Sequence, residues 1–227
     1  LPISGDKEIM MNELKDIEFA IFDMDGTILD SMWAWDTAAD RLLELLRITP
    51  RPEMREDIRP MTVPQVAEYL IREYELGYTM DEMMKMFDDT MINFYRNGAE
   101  FKPGALEFLK KLRERSVGMC VATATDVHMV EIALKRTGIY DMFDFILTCT
   151  EVGASKVSPL IFEKCLERAG SDRSRTWIFE DSAFAVETAK RAGFPTLAIY
   201  DKSSEQFEDI KREKADIYIN SFDEVVF

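Results

Sequence analysis

Histidine is almost absent from this chain: His128 is the single one in 227 residues. A histidine-ligated metal cluster is therefore excluded, and His128 is read as a surface or helix-packing residue. Cysteine is scarce too. Cys120, Cys149 and Cys165 are odd in number and lack CxxC spacing, which excludes a disulfide framework and a cysteine zinc site and points to buried thiols in a reducing compartment. No apolar run approaches the roughly 18 residues of a membrane span, and residues 1–16 lack the basic-then-apolar pattern of a secretion signal. Leu1 is not an initiator residue, so the natural start is expected nearer Met10 or Met11. Basic residues are few, 28 Lys and Arg against 43 Asp and Glu, for a net charge of -15. Such a surface repels nucleic-acid phosphates and anionic membranes, so neither is expected as a partner. The expectation is a soluble cytoplasmic protein, a monomer or weak dimer, large enough for one domain or a core with an insertion.

What is present is an alternation of apolar strands with helices. Glu18 to Phe22 is a short apolar run that ends abruptly in Asp23-Met24-Asp25-Gly26-Thr27, the pattern of a buried strand entering a polar loop. Similar runs cover residues 117–122, 143–148, 176–179 and 196–200, with a sixth at 217–219. Between them lie helical patterns over residues 105–115, 127–137, 159–169 and 183–192. The last three are followed by Gly138, Gly170 and Gly193 as stops, and Ser158-Pro159 reads as an N-cap followed by proline at the first helical position. Strand alternating with helix predicts an α/β fold, a doubly wound Rossmann-like parallel sheet.

Residues 32–97 break the alternation. They contain no convincing strand, and two capping boxes, Thr62 to Gln65 and Thr79 to Glu82, mark helix starts. Most of the 14 methionines fall here, namely Met32, Met54, Met61, Met80, Met83, Met84, Met86 and Met91, which suits a small bundle packed with adaptable side chains. The predicted organisation is a core of residues 1–31 and 98–227 carrying an inserted all-helical cap of residues 32–97.

Ligands of open parallel sheets bind outside the carboxyl ends of the strands. Collected there are Asp23, Asp25, Gly26 and Thr27 after the first strand, Thr123, Ala124 and Thr125 after the second, Lys156 in the loop after the third, and Glu180 and Asp181 at the fourth. Several carboxylates in one cleft are costly without a cation, and a lysine beside a hydroxyl suits a bound anion. A hard divalent metal with a phosphate answers both. Carboxylate oxygens and a backbone carbonyl suit magnesium. One aspartate is then placed to attack phosphorus, and a second, two residues on, to protonate the leaving alcohol and deprotonate the attacking water. Thr123 and Lys156 would hold the non-bridging oxygens, with backbone amides around Gly26 and Thr27 as further donors.

The stretch Phe22-Asp23-Met24-Asp25-Gly26-Thr27-Ile28-Leu29-Asp30-Ser31 resembles the first motif of the haloacid dehalogenase (HAD) superfamily in its phosphatase form. Thr123 closing Met119-Cys120-Val121-Ala122 is similar to the second motif, Lys156 to the third, and Phe179-Glu180-Asp181-Ser182 to the fourth. The insertion between the first and second motifs resembles the helical-cap branch, which includes beta-phosphoglucomutase and phosphoglycolate phosphatase. The resemblance implies Asp23 as nucleophile and Asp25 as acid/base. It implies Asp23, Asp25 through its carbonyl, and Asp181 as magnesium ligands, with Glu180 as a further ligand or a supporting neighbour. For phosphate it implies Gly26, Thr27, Thr123, Ala124 and Lys156. Val157 stands where relatives often have proline, which leaves the lysine in place and touches only the loop's shape.

The expected activity is magnesium-dependent hydrolysis of a small phosphorylated metabolite, a sugar phosphate or similar, with a cap that closes over it. The nearest rival is a sugar phosphomutase resembling beta-phosphoglucomutase, which shares every core motif. A phospho-accepting receiver module is disfavoured by the insertion and by the Asp-x-Asp spacing. Thr125 is expected to be a helix N-cap, Trp33 and Trp35 hinge or core packing, the arginines of the insertion mostly solvent-facing partners of its acids, and residues 203–214 one exposed acidic helix.

Overall fold

The computed structural model of the chain describes Leu14, residues 16–59 and residues 61–225; the expected start near Met10 or Met11 lies outside them. Along the chain run β1 (Phe19–Phe22), β2 (Leu29–Asp30), α1 (Met32–Asp36), α2 (Ala38–Leu45), α3 (Met54–Ile58), α4 (Val63–Glu73), α5 (Met80–Asn97) and β3 (Glu100–Phe101). There follow α6 (Ala105–Glu114), β4 (Gly118–Thr123), α7 (Val127–Thr137), β5 (Phe145–Thr148), α8 (Cys149–Val152), α9 (Leu160–Ala169), β6 (Thr176–Glu180), α10 (Ala183–Arg191), β7 (Thr196–Ile199), α11 (Glu208–Lys214) and β8 (Ile217–Ile219). Two compact units result, Leu1–Met32 with Ala99–Phe227, and Trp33–Gly98.

The first unit holds a six-stranded sheet in the order β5-β4-β1-β6-β7-β8. Every neighbouring pair is parallel. From β1 the chain builds outward through β4 to β5, then crosses back to place β6 on the other side of β1, so the switch point lies at β1. Both faces of β1 are covered, which is why Phe19–Phe22 is apolar without alternation. On one face Ile21, Cys120 and Ile178 meet Ile161, Phe162 and Cys165 of α9 and Ala185 and Ala189 of α10. On the other, Phe22 stacks on its register partner Phe179 at 4.3 Å between ring centroids, and Phe108 of α6 reaches Phe22 edge-on at 6.2 Å. The doubly wound parallel sheet expected from the strand–helix alternation is present.

Several boundaries move by a residue or two. The two strands flanking β1 run to Thr123 and Glu180, so both residues close their strands instead of following them. Helix α9 starts at Leu160 with Pro159 before it, and Ser158 still accepts from the Leu160 amide through its hydroxyl at 3.3 Å. Cys120 and Cys165 are buried, whereas Cys149 is only half-buried. Residues 203–214 are not one exposed helix. A 3-10 segment, Lys202–Phe207, with a non-helical Ser204 precedes α11, and Lys211 of that helix is fully buried. The antiparallel ribbon of β2 with β3, too short to leave a sequence signal, joins the two chain segments that flank the second unit.

The second unit is helical. Both capping boxes form, each with threonine and the side chain three residues on bonding reciprocally. Met54, Met83 and Met91 are buried with Leu42, Leu70 and Phe87. Trp35 donates its indole N–H to Tyr95 Oη at 3.0 Å, and Trp33, 45% exposed, packs edge-on to Phe94 with the Arg41 guanidinium over its ring. Arg51 and Arg55 pair with Glu73 and Asp40. No helix of the described residues is long and apolar enough to cross a membrane.

Because Phe108 touches Phe22, Phe179 and Phe222 from within the core, Phe108→Ala should cost roughly 3–5 kcal/mol of stability. The check is the chemical-denaturation midpoint, and an unchanged midpoint would contradict that packing.

Candidate active site

The site lies where the chain leaves the carboxyl ends of β1, β4 and β6. Asp23 follows β1 directly, and its amide donates to the Phe179 carbonyl at 3.0 Å, so the loop begins while still clamped to β6. The turn then tightens: the Gly26 amide donates to the Leu29 carbonyl at 2.8 Å, with Gly26 at φ 83°. A Cβ there would lie 2.6 Å from Asp181 Oδ2, so glycine is required both by the left-handed backbone and by the neighbouring carboxylate. This corrects the expectation of a donated Gly26 amide: that N–H is committed within the turn, and Gly26 enters the site through its missing side chain. Thr27 donates its hydroxyl to Asp181 Oδ1 at 3.1 Å.

Three carboxylates converge. Asp23, Glu180 and Asp181, all buried, offer oxygens within 4.8 Å of one another. Lys156, also buried, donates to Asp23 Oδ1 at 2.5 Å and to Glu180 Oε2 at 2.7 Å, and Glu180 Oε1 accepts the Ser182 amide at 3.1 Å. Glu180 is thus the residue that orients the lysine as well as a member of the acidic set. Burial favours the neutral amine of Lys156, but the Asp23 and Glu180 carboxylates outweigh it and hold the ammonium's pKa above its usual range. Burial likewise pushes Asp23 up to about 8, against the pull of Lys156 and with added repulsion from Glu180 and Asp25. Asp181 is raised by burial and by Glu180 and Asp23.

Asp25 takes a different setting. Its Oδ1 accepts from the Ser31 hydroxyl at 2.5 Å and its Oδ2 from the Thr125 hydroxyl at 2.7 Å. Thr125 is therefore not the helix cap: Asp126 occupies the N-cap of α7, and Thr125 orients a carboxylate from the far side of the site. The amide of Thr125 in turn donates to Thr123 Oγ at 3.1 Å, so the two threonines are one unit. What sequence reasoning missed is the role of Ser31 and Thr125 as donors to Asp25; a hydroxyl near a strand end carries no signal to separate this role from capping. Ala124 and His128 are exposed.

With all three ionised, three carboxylates against one ammonium would leave two uncompensated negative charges, which is why burial favours the protonated forms of Asp23 and Asp181 when no cation is bound. Hard oxygen donors with that deficit fit a divalent cation of the magnesium kind. The arrangement can hold such an ion, present an ammonium to an anion, and place the Asp25 carboxyl beside it for proton transfer.

An open, doubly wound parallel sheet with paired acids at its central strand ends defines the fold as a Rossmann-like α/β type, and a family model of haloacid dehalogenase-like hydrolases matches residues 20–199. The chain belongs to that family. It is 24% identical over 217 residues to hexitol phosphatase B of Escherichia coli strain K12, covering 95% of this chain and 97% of that protein. It is 27% identical over 197 residues to phosphoglycolate phosphatase of Neisseria gonorrhoeae, covering 82% and 81%. Its fold is similar to the crystal structure of CbbY from Rhodobacter sphaeroides in complex with phosphate, with TM-score 0.75, 21% identity, and 91% and 95% of the two chains covered.

A carboxyl that stays protonated in the folded chain up to about 8 instead of its ordinary 3.8 stabilises the fold at low pH. That contribution is lost as pH rises toward the folded-state value. In chelator, the thermal midpoint should therefore fall between about pH 5 and pH 8, and saturating magnesium should flatten the slope. A midpoint in chelator that does not change with pH would contradict the uncompensated charge.

Proposed function

We propose that the protein is a magnesium-dependent phosphatase that hydrolyses a small phosphorylated metabolite, a sugar phosphate or similar, through an aspartyl phosphate on Asp23. The observation that carries this reading is Lys156 bridging Asp23 and Glu180 beside Asp181, a nucleophile-grade carboxylate, a cation and a metal-competent acidic set in one buried cluster. The names of the relatives, a hexitol phosphatase and a phosphoglycolate phosphatase, support the substrate class.

In the first half-reaction an Asp23 carboxylate oxygen bonds to phosphorus as the bond from phosphorus to the substrate oxygen breaks, and Asp25 gives its proton to the leaving oxygen. In the second, Asp25 takes a proton from water as the water oxygen bonds to phosphorus, releasing phosphate and restoring Asp23. Ser31 and Thr125 hold Asp25 in one orientation for both transfers. Lys156 and Thr123 bind non-bridging oxygens, joined by Thr27 and the Ala124 backbone, while Gly26 keeps the turn tight enough for Asp181 to approach. Magnesium held by Asp23, Asp181 and the Asp25 carbonyl, with Glu180 supporting through Lys156, would neutralise charge on the phosphoryl group. The helical unit inserted between β2 and β3, residues 32–97 in the sequence reading, is assigned the role of the cap.

Asp23→Asn should abolish turnover of phosphorylated substrates and trapping by fluoroberyllate; more than trace activity would remove Asp23 as nucleophile. Asp25→Asn should slow turnover by about 100-fold or more, and a rate near wild type would refute the acid/base role. A screen of several dozen phosphorylated metabolites with magnesium, recording free phosphate and isomer formation together, should give phosphate release that stops in excess chelator. Isomer formation without phosphate release would replace hydrolysis with mutase activity.

A further inference from the structure

Beside the main chain of Asp181, the loop after β7 carries a second polar cluster that the proposed reaction does not use. Lys102 and Asp201 form an ion pair at 2.9 Å with both side chains buried. Lys211 of α11 is buried completely, yet its ammonium forms no ion pair among the described residues: it donates to the Ile199 carbonyl at 3.1 Å and to Ser204 Oγ at 2.9 Å. Ser204 in turn donates toward the Asp181 carbonyl at 3.1 Å, and toward the Asp201 carbonyl at 3.3 Å.

The direction of these bonds is fixed by chemistry. An ammonium has no acceptor, so Ser204 must accept from Lys211, and its single hydroxyl hydrogen is left for the carbonyls, of which that of Asp181 is nearer. Taking a lysine wholly out of water is costly, and an apolar residue of similar volume would avoid that cost. Burial accordingly lowers the pKa of Lys211, with Asp181, Asp201 and Glu208 countering only part of the effect. Ser204 is also the one non-helical residue interrupting the 3-10 segment Lys202–Phe207.

We propose that Ser204 and Lys211 are positioning residues for Asp181: Lys211 commits the Ser204 hydroxyl to the Asp181 carbonyl, and so fixes the Asp181 carboxylate opposite Asp23 for a divalent cation. The inference rests on the reading of Asp181 as a metal ligand. Supporting groups of this kind change metal affinity by about 10–100-fold when removed.

The test is a titration of the full chain with manganese(II) and no substrate, read from the EPR signal of the free ion. Wild type should bind with a saturable constant, and Asp181→Asn should lose that binding. Ser204→Ala and Lys211→Met should weaken it by about tenfold, while Ser204→Thr, which keeps the hydroxyl, should restore affinity to near wild type. Wild-type affinity in Ser204→Ala overturns the inference and leaves the reading of Asp181 intact, as does equal weakening in Ser204→Thr, which would make the effect one of packing. Absence of saturable binding in wild type overturns the reading and the inference together. Should Lys211→Met fail to fold, Ser204→Ala with its threonine rescue decides alone.

Discussion

One ammonium in the middle of three buried carboxylates sets the terms for the rest of the site. Without Lys156, Asp23 and Glu180 would face each other across a dry interior with nothing between them, and burial of each charge would cost several kcal/mol. With it, full ionisation would still leave two charges unmatched, which makes the cluster receptive to a divalent ion while a single side chain holds the geometry. The sheet order follows from the same need. Only a central strand with β4 on one side and β6 on the other lets Asp23, Thr123, Glu180 and Asp181 face one another, with Lys156 arriving from the loop beyond β5.

The surroundings are graded accordingly. Asp23 is tied to a cation, while Asp25, two residues on, is tied to two neutral hydroxyls. Met24, between them, is buried in the core. One carboxyl thus faces an ammonium and the other two hydroxyls, a difference in setting that suits the separate roles proposed for them. The net charge of -15 is spread over a screened surface, so what an anionic ligand meets at such a place is decided by the Lys156 ammonium and by any divalent ion the three carboxylates hold.

Much of this was legible in the sequence. Apolar runs ending in Asp23, Thr123 and Glu180 announce strands buried on both faces, and the glycines after three helices announce where they stop. The capping boxes at Thr62 and Thr79 work through bonds three residues apart, so a local pattern suffices to find them. What escaped was long-range and polar. Thr125 meets Asp25 across 100 residues, and no local feature tells that hydroxyl from a cap. Lys211 sits among charged neighbours in Glu208–Lys214, and its burial follows from where α11 packs, not from its own segment. The β2–β3 ribbon depends on two dipeptides meeting after the whole insertion has been traversed. The reason for Gly26 was not legible, since the need for space comes from Asp181, whose approach only the fold defines.

The parallel pairing of β1 with β4 and β6 also has a consequence in time. Asp23 and Lys156 are 133 residues apart in the chain, so at the usual pace of synthesis roughly 7–27 s separate their emergence. Until β4 is made the central strand of the sheet is an apolar segment with both edges open, its β6 edge stays open through the whole interval, and every helix of the insertion is made before either neighbour exists. The acidic cluster is therefore completed late in the chain's history. A nascent chain can carry a finished helical unit and still hold no trace of the site.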